Sequence, residues 1–318
     1  MRALVTGAAG FIGSHLAERL CADGHSVRAV DCLTPYYDVS LKRRTLRALE
    51  AMSDCQVVVA DLRSADLAEL VDDVDVVFHQ AGQPGVRASW DEFDVYVQHN
   101  VLVTQRLLDA VRGRGIRRFV YASSSSVYGD ARTYPTGEDE VLRPVSPYGV
   151  TKLAAEQLCG VYATRGGMPV VSLRYFTVFG PRQRPDMAMH RLIEAALSGD
   201  PFPLFGDGRQ VRDFTYVDDV VEANLRAASA EVPPGSVVNV AGGTTASLLE
   251  VVGIVERLVG RRVALHRRPS AAGDVLRTGG STERARRLLS WRPQVPLTDG
   301  LAAQVAWHAL RRATARSA

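Results

Sequence analysis

Tyr148 and Lys152 stand four residues apart in SPYGVTKLAAEQL, a spacing that puts both on one face of a helix. An ammonium beside a phenol favours the phenolate, so the pair offers a general base for a hydroxyl group near neutral pH. Ser146 and Pro147 suit the start of that helix. Taken alone, the pair also fits a surface tyrosine next to a solvated lysine. The chemical reading gains weight from RFVYASSSSVYG upstream, an apolar run ending in Ser123, Ser124, Ser125 and Ser126. The C-terminal ends of parallel strands are where ligands bind, and a serine there can hydrogen-bond a reacting hydroxyl.

A second constellation opens the chain. Gly7, Gly10 and Gly13 form G-x-x-G-x-x-G directly after the apolar run ALVTG. The first glycine permits a tight turn, the second lets the backbone approach a pyrophosphate, and the third lets a helix pack closely on the sheet. The N-terminus of that helix aims free N–H groups at phosphate. Asp31 ends the next apolar run, 18 residues beyond Gly13, close to the ~20 of a dinucleotide fingerprint. A carboxylate there accepts hydrogen bonds from ribose hydroxyls and repels a 2′-phosphate, which favours NAD over NADP. Asp61 ends VVVADLR, where the adenine edge is expected.

These residues need a scaffold that brings strand ends together. Short apolar runs alternate with helical patterns: ALVTG, FIGSHLAERLCADG, SVRAVD, QVVVADL, VDVVFHQAG and RFVYASS. Strand and helix repeated in this way predict an α/β fold, a doubly wound parallel Rossmann sheet with a smaller C-terminal lobe. MPVVSLRYFTVFGP predicts a sixth strand running into a loop, and VVNVAGG one more strand returning to the main sheet. The expected division is a dinucleotide-binding domain over 1–180, with a returning segment near 210–245. An interleaved substrate-binding lobe takes 181–318.

Bulk properties agree with a globular enzyme. The chain has 318 residues, 46% hydrophobic and 23% charged, with net charge +3. That is enough for a sizeable core and is not the footprint of a nucleic-acid binder. The four cysteines show no metal-binding or redox spacing. No signal sequence or apolar membrane-length run is evident, so a cytoplasmic protein is expected, with neither nucleic acid nor membrane as a partner and no metal.

Together TGAAGFIGSHL, Asp31, HQAG, YASSSSVYG, PYGVTK and RYFTVFGPRQRPDMA resemble the extended short-chain dehydrogenase/reductase family, over nearly the whole chain. DCLTPYYDVSLKRRTL and RYFTVFGPRQRPDMA look most like its UDP-glucuronate 4-epimerases. The resemblance implies transient oxidation of a sugar C4 with tightly bound NAD, a UDP-sugar substrate, and a homodimer built from helices near 95–112 and 148–164. It makes Ser124, Tyr148 and Lys152 catalytic. It places Gly7, Phe11, Ile12, Asp31, Asp61, Leu62, Ala81, Gly82, Gln83, Asn100 and Tyr175 against NAD. It gives Arg212 to the nucleotide diphosphate and puts Asp274 on the nucleotide side of the substrate. Ser125, Ser126 and Thr177 are candidates for hydrogen bonds to a sugar carboxylate, with Arg87 and Arg184 as further anionic contacts.

Departures from the family narrow the choice. Members that dehydrate the sugar carry Asp-Glu before VYG, and decarboxylases of UDP-glucuronate carry Glu there, whereas this chain has Ser125 and Ser126. Thr177 stands where hexose epimerases place asparagine. The expected reaction is interconversion of UDP-glucuronate and UDP-galacturonate. UDP-glucose/galactose 4-epimerase, UDP-glucuronate decarboxylase and a non-catalytic NAD-sensing regulator are the alternatives.

Overall fold

Seven strands make the central sheet of the computed structural model, which describes residues 1–269, 273 and 275–316. Strands β1 (Arg2–Thr6), β2 (Ser26–Asp31), β3 (Cys55–Val59), β4 (Val76–His79), β5 (Arg118–Ser124) and β6 (Val170–Tyr175) follow in chain order. After them come β7 (Thr177–Phe179), β8 (Phe202–Phe205), β9 (Val211–Tyr216), β10 (Ser236–Val240), β11 (Thr245–Ser247) and β12 (Leu265–Arg268). The main sheet runs β10-β6-β5-β4-β1-β2-β3, with all its pairs parallel. A parallel sheet is covered on both faces, which is why β4, β5 and β6 read as continuous buried runs.

The strand order reverses between β1 and β4, the position where a doubly wound sheet opens a crevice at its carboxyl edge. Helices α1 (Phe11–Ala22), α2 (Val39–Glu50), α3 (Leu67–Leu70), α4 (Phe93–Tyr96), α5 (Val103–Val111) and α6 (Pro147–Gly166) belong to this half. Later come α7 (Ala188–Ser198), α8 (Val217–Ser229), α9 (Leu248–Val259), α10 (Glu283–Leu289) and α11 (Leu297–Arg316). One apolar cluster joins α1, α2 and α8 through Leu16, Leu20, Leu49 and Val220, and a second joins α3, α5 and α6 through Leu67, Leu107, Leu108 and Cys159. No helix among the described residues is long and apolar enough to cross a membrane.

The chain rejoins the main sheet as VVNVAGG predicts: β10 pairs in parallel with β6. Two expectations need correction. The segment after β6 is not a loop, because Thr177–Phe179 pairs in parallel with β9. Nor does all of 210–245 return to the main sheet, since β9 lies between β7 and β11 in a separate three-stranded sheet. Asp213 holds that sheet to its surroundings, its two carboxylate oxygens accepting from Gly242 N at 2.6 Å and Gly280 N at 3.2 Å. Hydrophobic periodicity marks a strand but not which sheet it joins, so this was beyond its reach.

Candidate active site

The glycine turn at the end of β1 is set by sterics. Gly7 has φ +71°, a left-handed conformation, and a Cβ there would lie 2.8 Å from Ala81 N. Gly13 packs tighter still: a Cβ would lie 2.2 Å from Gly7 O, a backbone atom that cannot swing away. Gly13→Ala must therefore displace either the turn or α1. The expected result is a loss of about 1–3 kcal/mol in stability and a protein purified largely without dinucleotide. Urea denaturation and the absorbance of a released nucleotide check both.

Asp31 sits at the tip of β2, 9% exposed. One oxygen accepts from Ala9 N at 3.1 Å and the other from Leu33 N at 2.7 Å. The carboxylate thus fastens the glycine turn to the next loop, and it has acceptor capacity left for a ribose. Asp61 is taken by Arg63, whose Nε and Nη2 approach its oxygens at 2.7–3.1 Å. That pairing holds the Asp61 carboxyl below the ordinary range.

Between these groups and α6 runs a cleft. Gly7, Gly10, Phe11, Ile12, Gly13, Asp31, Asp61, Leu62, Ala81, Gly82, Gln83, Tyr148, Lys152 and Tyr175 all line it, as does Arg184. This lining joins the glycine turn and the Asp31 carboxylate, groups suited to a dinucleotide, to the phenol and ammonium of α6. Sequence reasoning missed Thr34, Tyr36, Tyr37, Lys42 and His99 on the same wall. Lys42 donates to Thr34 O at 2.8 Å and to its Oγ1 at 2.9 Å, so this loop is ordered by its own contacts. For the first four the only sequence signal was the segment DCLTPYYDVSLK, which carries no chemical pattern by itself, and His99 had none.

Helix α6 begins as expected: Ser146 Oγ accepts from Gly149 N at 3.1 Å and Pro147 opens the first turn. Lys152 is buried and donates to Ala122 O at 2.6 Å, its ammonium 4.9 Å from the Tyr121 ring centroid. Burial lowers its pKa to about 8. The Tyr148 phenol hydrogen-bonds Ser124, the last residue of β5. Here the expected electrostatics are corrected. Burial raises the Tyr148 phenol above its ordinary value, and Ser124 and Arg184 oppose that shift rather than Lys152. The lysine has turned its ammonium to a backbone carbonyl, which it satisfies instead of the phenol.

Asn100 also departs from its expected role. It is buried, accepts from Gln83 N at 2.7 Å, and donates to Gln83 O at 3.1 Å and Thr151 Oγ1 at 3.0 Å. It does not line the cleft but holds the Ala81–Gly82–Gln83 turn against α6. A π-helical turn, Val97–Leu102, carries it, and such wide turns recur at functional sites. Tyr175 donates to Gln80 Oε1 at 3.1 Å and Asn224 Oδ1 at 3.0 Å, which fixes its ring on the cleft wall.

The anionic contacts are dispersed. Arg184 faces the cleft and forms a two-point pair with Asp186, both contacts at 3.0 Å. Ser125 and Ser126 form the short turn directly after Ser124, and Thr177 starts β7 two residues after Tyr175. Arg87 has its guanidinium 4.0 Å from the Phe205 ring centroid. Arg212 is on β9 and donates to Val211 O at 3.0 Å. Asp274 lies outside the described residues. His190, Glu194 and His308 come within 4.8 Å of one another, a cluster the sequence spacing did not reveal. Glu194 already accepts from His308 Nδ1 at 2.6 Å and Arg312 at 2.8 Å, with Arg311 at 3.5 Å, so two guanidinium groups oppose a cation there.

A glycine turn, an acidic strand end and a Tyr–Lys helix converge on one trough. Residues 3–241 match the model of the NAD-dependent epimerase/dehydratase family. The chain belongs to this family. It is 45% identical over 309 residues to a Bacillus subtilis protein named as a UDP-glucose epimerase, YtcB, covering 96% of this chain and 98% of the relative. A UDP-glucuronate 4-epimerase of Thermodesulfobacterium geofontis is 36% identical, with 96% and 95% covered. Among solved structures, the UDP-glucuronic acid 4-epimerase of Bacillus cereus with UDP-glucuronic acid and NAD superposes with a TM-score of 0.95 at 41% identity, covering 98% of this chain and 100% of that one. In this epimerase family, the trough described above is the place to look for both cofactor and substrate.

Proposed function

We propose that this epimerase holds NAD in the trough and interconverts UDP-glucuronate and UDP-galacturonate. The observation that carries the reading is that Tyr148, hydrogen-bonded to Ser124, and Lys152 line the same cleft as Gly7 and Asp31. NAD, when bound, would supply reversible hydride acceptance at the sugar C4. Tyr148 takes the proton of the 4-hydroxyl, and Ser124 hydrogen-bonds the same oxygen. Lys152 keeps positive charge beneath them and can turn from Ala122 O to a ribose hydroxyl. Arg184 faces the sugar end and can exchange Asp186 for a substrate carboxylate.

A 4-keto uronate is a β-keto acid and can lose carbon dioxide. Ser125, Ser126 and Thr177 supply hydroxyls, where a decarboxylase would carry an acid/base carboxylate. In this reading they hold the carboxylate out of line with the carbonyl π system. Ser126→Glu is therefore expected to raise the fraction of pentose product rather than simply abolish turnover. An unchanged product ratio in an NMR time course argues against this role.

UDP-glucose/galactose 4-epimerase is the second reading, favoured by the name of the 45%-identical relative. The deciding experiment incubates purified protein with UDP-glucuronate and, separately, UDP-glucose, with no NAD added, and identifies products by NMR. UDP-galacturonate as the main product supports the first reading; turnover of UDP-glucose alone replaces it with the second. UDP-xylose or no product removes it.

The same reading places the enzyme in the cytoplasm, where its four free cysteines stay reduced, and makes it a homodimer. Leu102, Val150 and Val161 are 51%, 45% and 55% exposed on the neighbouring helical segments that start at Val97 and Pro147. A second copy of those helices covers them; sedimentation of a species twice the chain mass is the expected result.

A further inference from the structure

Against the cleft lies a buried charged network that takes no direct part in the reaction; of its members, Ser123 reaches the cleft wall. Glu156 is one helical turn beyond Lys152 on α6, so Tyr148, Lys152 and Glu156 share a face. Three consecutive residues of β5 hold these three. Ala122 O accepts from Lys152 at 2.6 Å, Ser123 Oγ donates to Glu156 Oε2 at 2.6 Å, and Ser124 bonds the Tyr148 phenol. Arg174 on β6 pairs with Glu156 by Nη2 to Oε1 at 2.6 Å and Nε to Oε2 at 2.9 Å, with the side chains only 4% and 2% exposed.

The strand register explains the arrangement. Ser123 lies beside Arg174, and Arg174 beside Asn239, in one row across β5, β6 and β10. Tyr128 closes the row, accepting from Arg174 Nη1 and donating to Asn239 Oδ1, each at 2.7 Å. The next row is Ser124 beside Tyr175, the first catalytic and the second on the cleft wall. Alternate residues of a strand face opposite sides, so locking the first row sets where the second emerges.

We propose that Glu156, clamped by Arg174 and Ser123, is a positioning residue that sets the height of α6 on β5, and thereby brings Tyr148 opposite Ser124 and Lys152 opposite Ala122. The inference rests on the assignment of Tyr148 as the base. A buried ion pair is weak as a device for stability, because the cost of desolvating both charges offsets their attraction. Its use here is to define one register. The carboxylate also favours the ammonium of Lys152; Tyr121, the neutral His79 and Cys159, whose thiol burial keeps protonated, are the other titratable neighbours.

The test compares Glu156→Gln, Ser123→Ala and Tyr148→Phe in the cofactor-loaded enzyme, by kcat, KM, the pH dependence of kcat and the melting temperature. Glu156→Gln is expected to lower kcat by tenfold or more, with KM nearly unchanged and the alkaline limb moved to lower pH; each pH unit of movement is about a tenfold change in the proton equilibrium. Ser123→Ala leaves the Arg174–Glu156 pair intact and should lower kcat severalfold at an unchanged melting temperature. An inactive Tyr148→Phe with wild-type kcat and pH profile in folded Glu156→Gln and Ser123→Ala overturns the inference alone. Should Glu156→Gln fail to fold, Ser123→Ala decides by the same criterion. An active Tyr148→Phe overturns the underlying reading.

Discussion

Tyr148→Phe is expected to lower kcat for epimerisation by about 10²–10⁴-fold, the range for losing one positioned general acid–base group, while KM stays close to wild type. The phenol lines the cleft and, among the described residues, its hydroxyl bonds Ser124, so its removal costs that one contact. The ring remains packed edge-on against Tyr96, with centroids 6.2 Å apart. Stability should therefore be almost unaffected, which separates a chemical loss from unfolding. In the cleft, burial raises the phenol and lowers the Lys152 ammonium to about 8. Both shifts oppose the phenolate–ammonium pair that the reaction needs. Ser124 and Arg184 work against the first and Glu156 against the second. Rate measurements at saturating UDP-glucuronate with a parallel melting curve check the prediction, and activity within tenfold of wild type would remove Tyr148 from the mechanism.

Arg174→Met is expected to cost about 3–5 kcal/mol of stability, because it strands the Glu156 carboxylate in the interior without its cation. Among the described residues, Ser123 is the only other side chain that donates to that carboxylate. The same substitution deprives Tyr128 of a donor and Glu138 O of its 3.0 Å contact. Arg174→Met combined with Glu156→Leu should recover much of the loss, since replacing both charges removes the penalty of burying either. Urea midpoints of the single and double variants measure this. A double variant no more stable than Arg174→Met would show that the network, and not the stranded charge, sets the cost.

The two predictions separate two uses of α6. One turn of the helix presents the reacting phenol, and the next two turns carry Lys152 and Glu156 inward to hold it in place. The cleft side of β5 and β6 tolerates little motion, since Ser124 and Tyr175 must reach it from the row next to Ser123 and Arg174.

Local chemistry made much of this legible in the sequence. Gly7, Gly13 and Asp31 could be read because a turn, a close contact and a strand-end carboxylate each demand a residue type at a set spacing. Tyr148 and Lys152 could be read because helical geometry puts i and i+4 together. Serines at the end of RFVYASSSS announced a polar strand tip. The alternation of strands and helices declared the parallel sheet, since a parallel crossover requires an intervening element.

Only the tertiary structure decided what depends on contacts between distant segments. Asn100 proved to hold a turn and not to face the cleft, because its partners Gln83 and Thr151 come from elsewhere in the chain. Lys152 proved to bond Ala122 O, a choice set by the height of α6 over β5. Glu156, Arg174 and Ser123 form no motif at all, lying 18 and 33 residues from one another along the chain. The division of β7, β9 and β11 into their own sheet was equally hidden. Periodicity tells a strand which face is apolar, but pairing energy is won between strands, and a single strand does not carry the address of its neighbour.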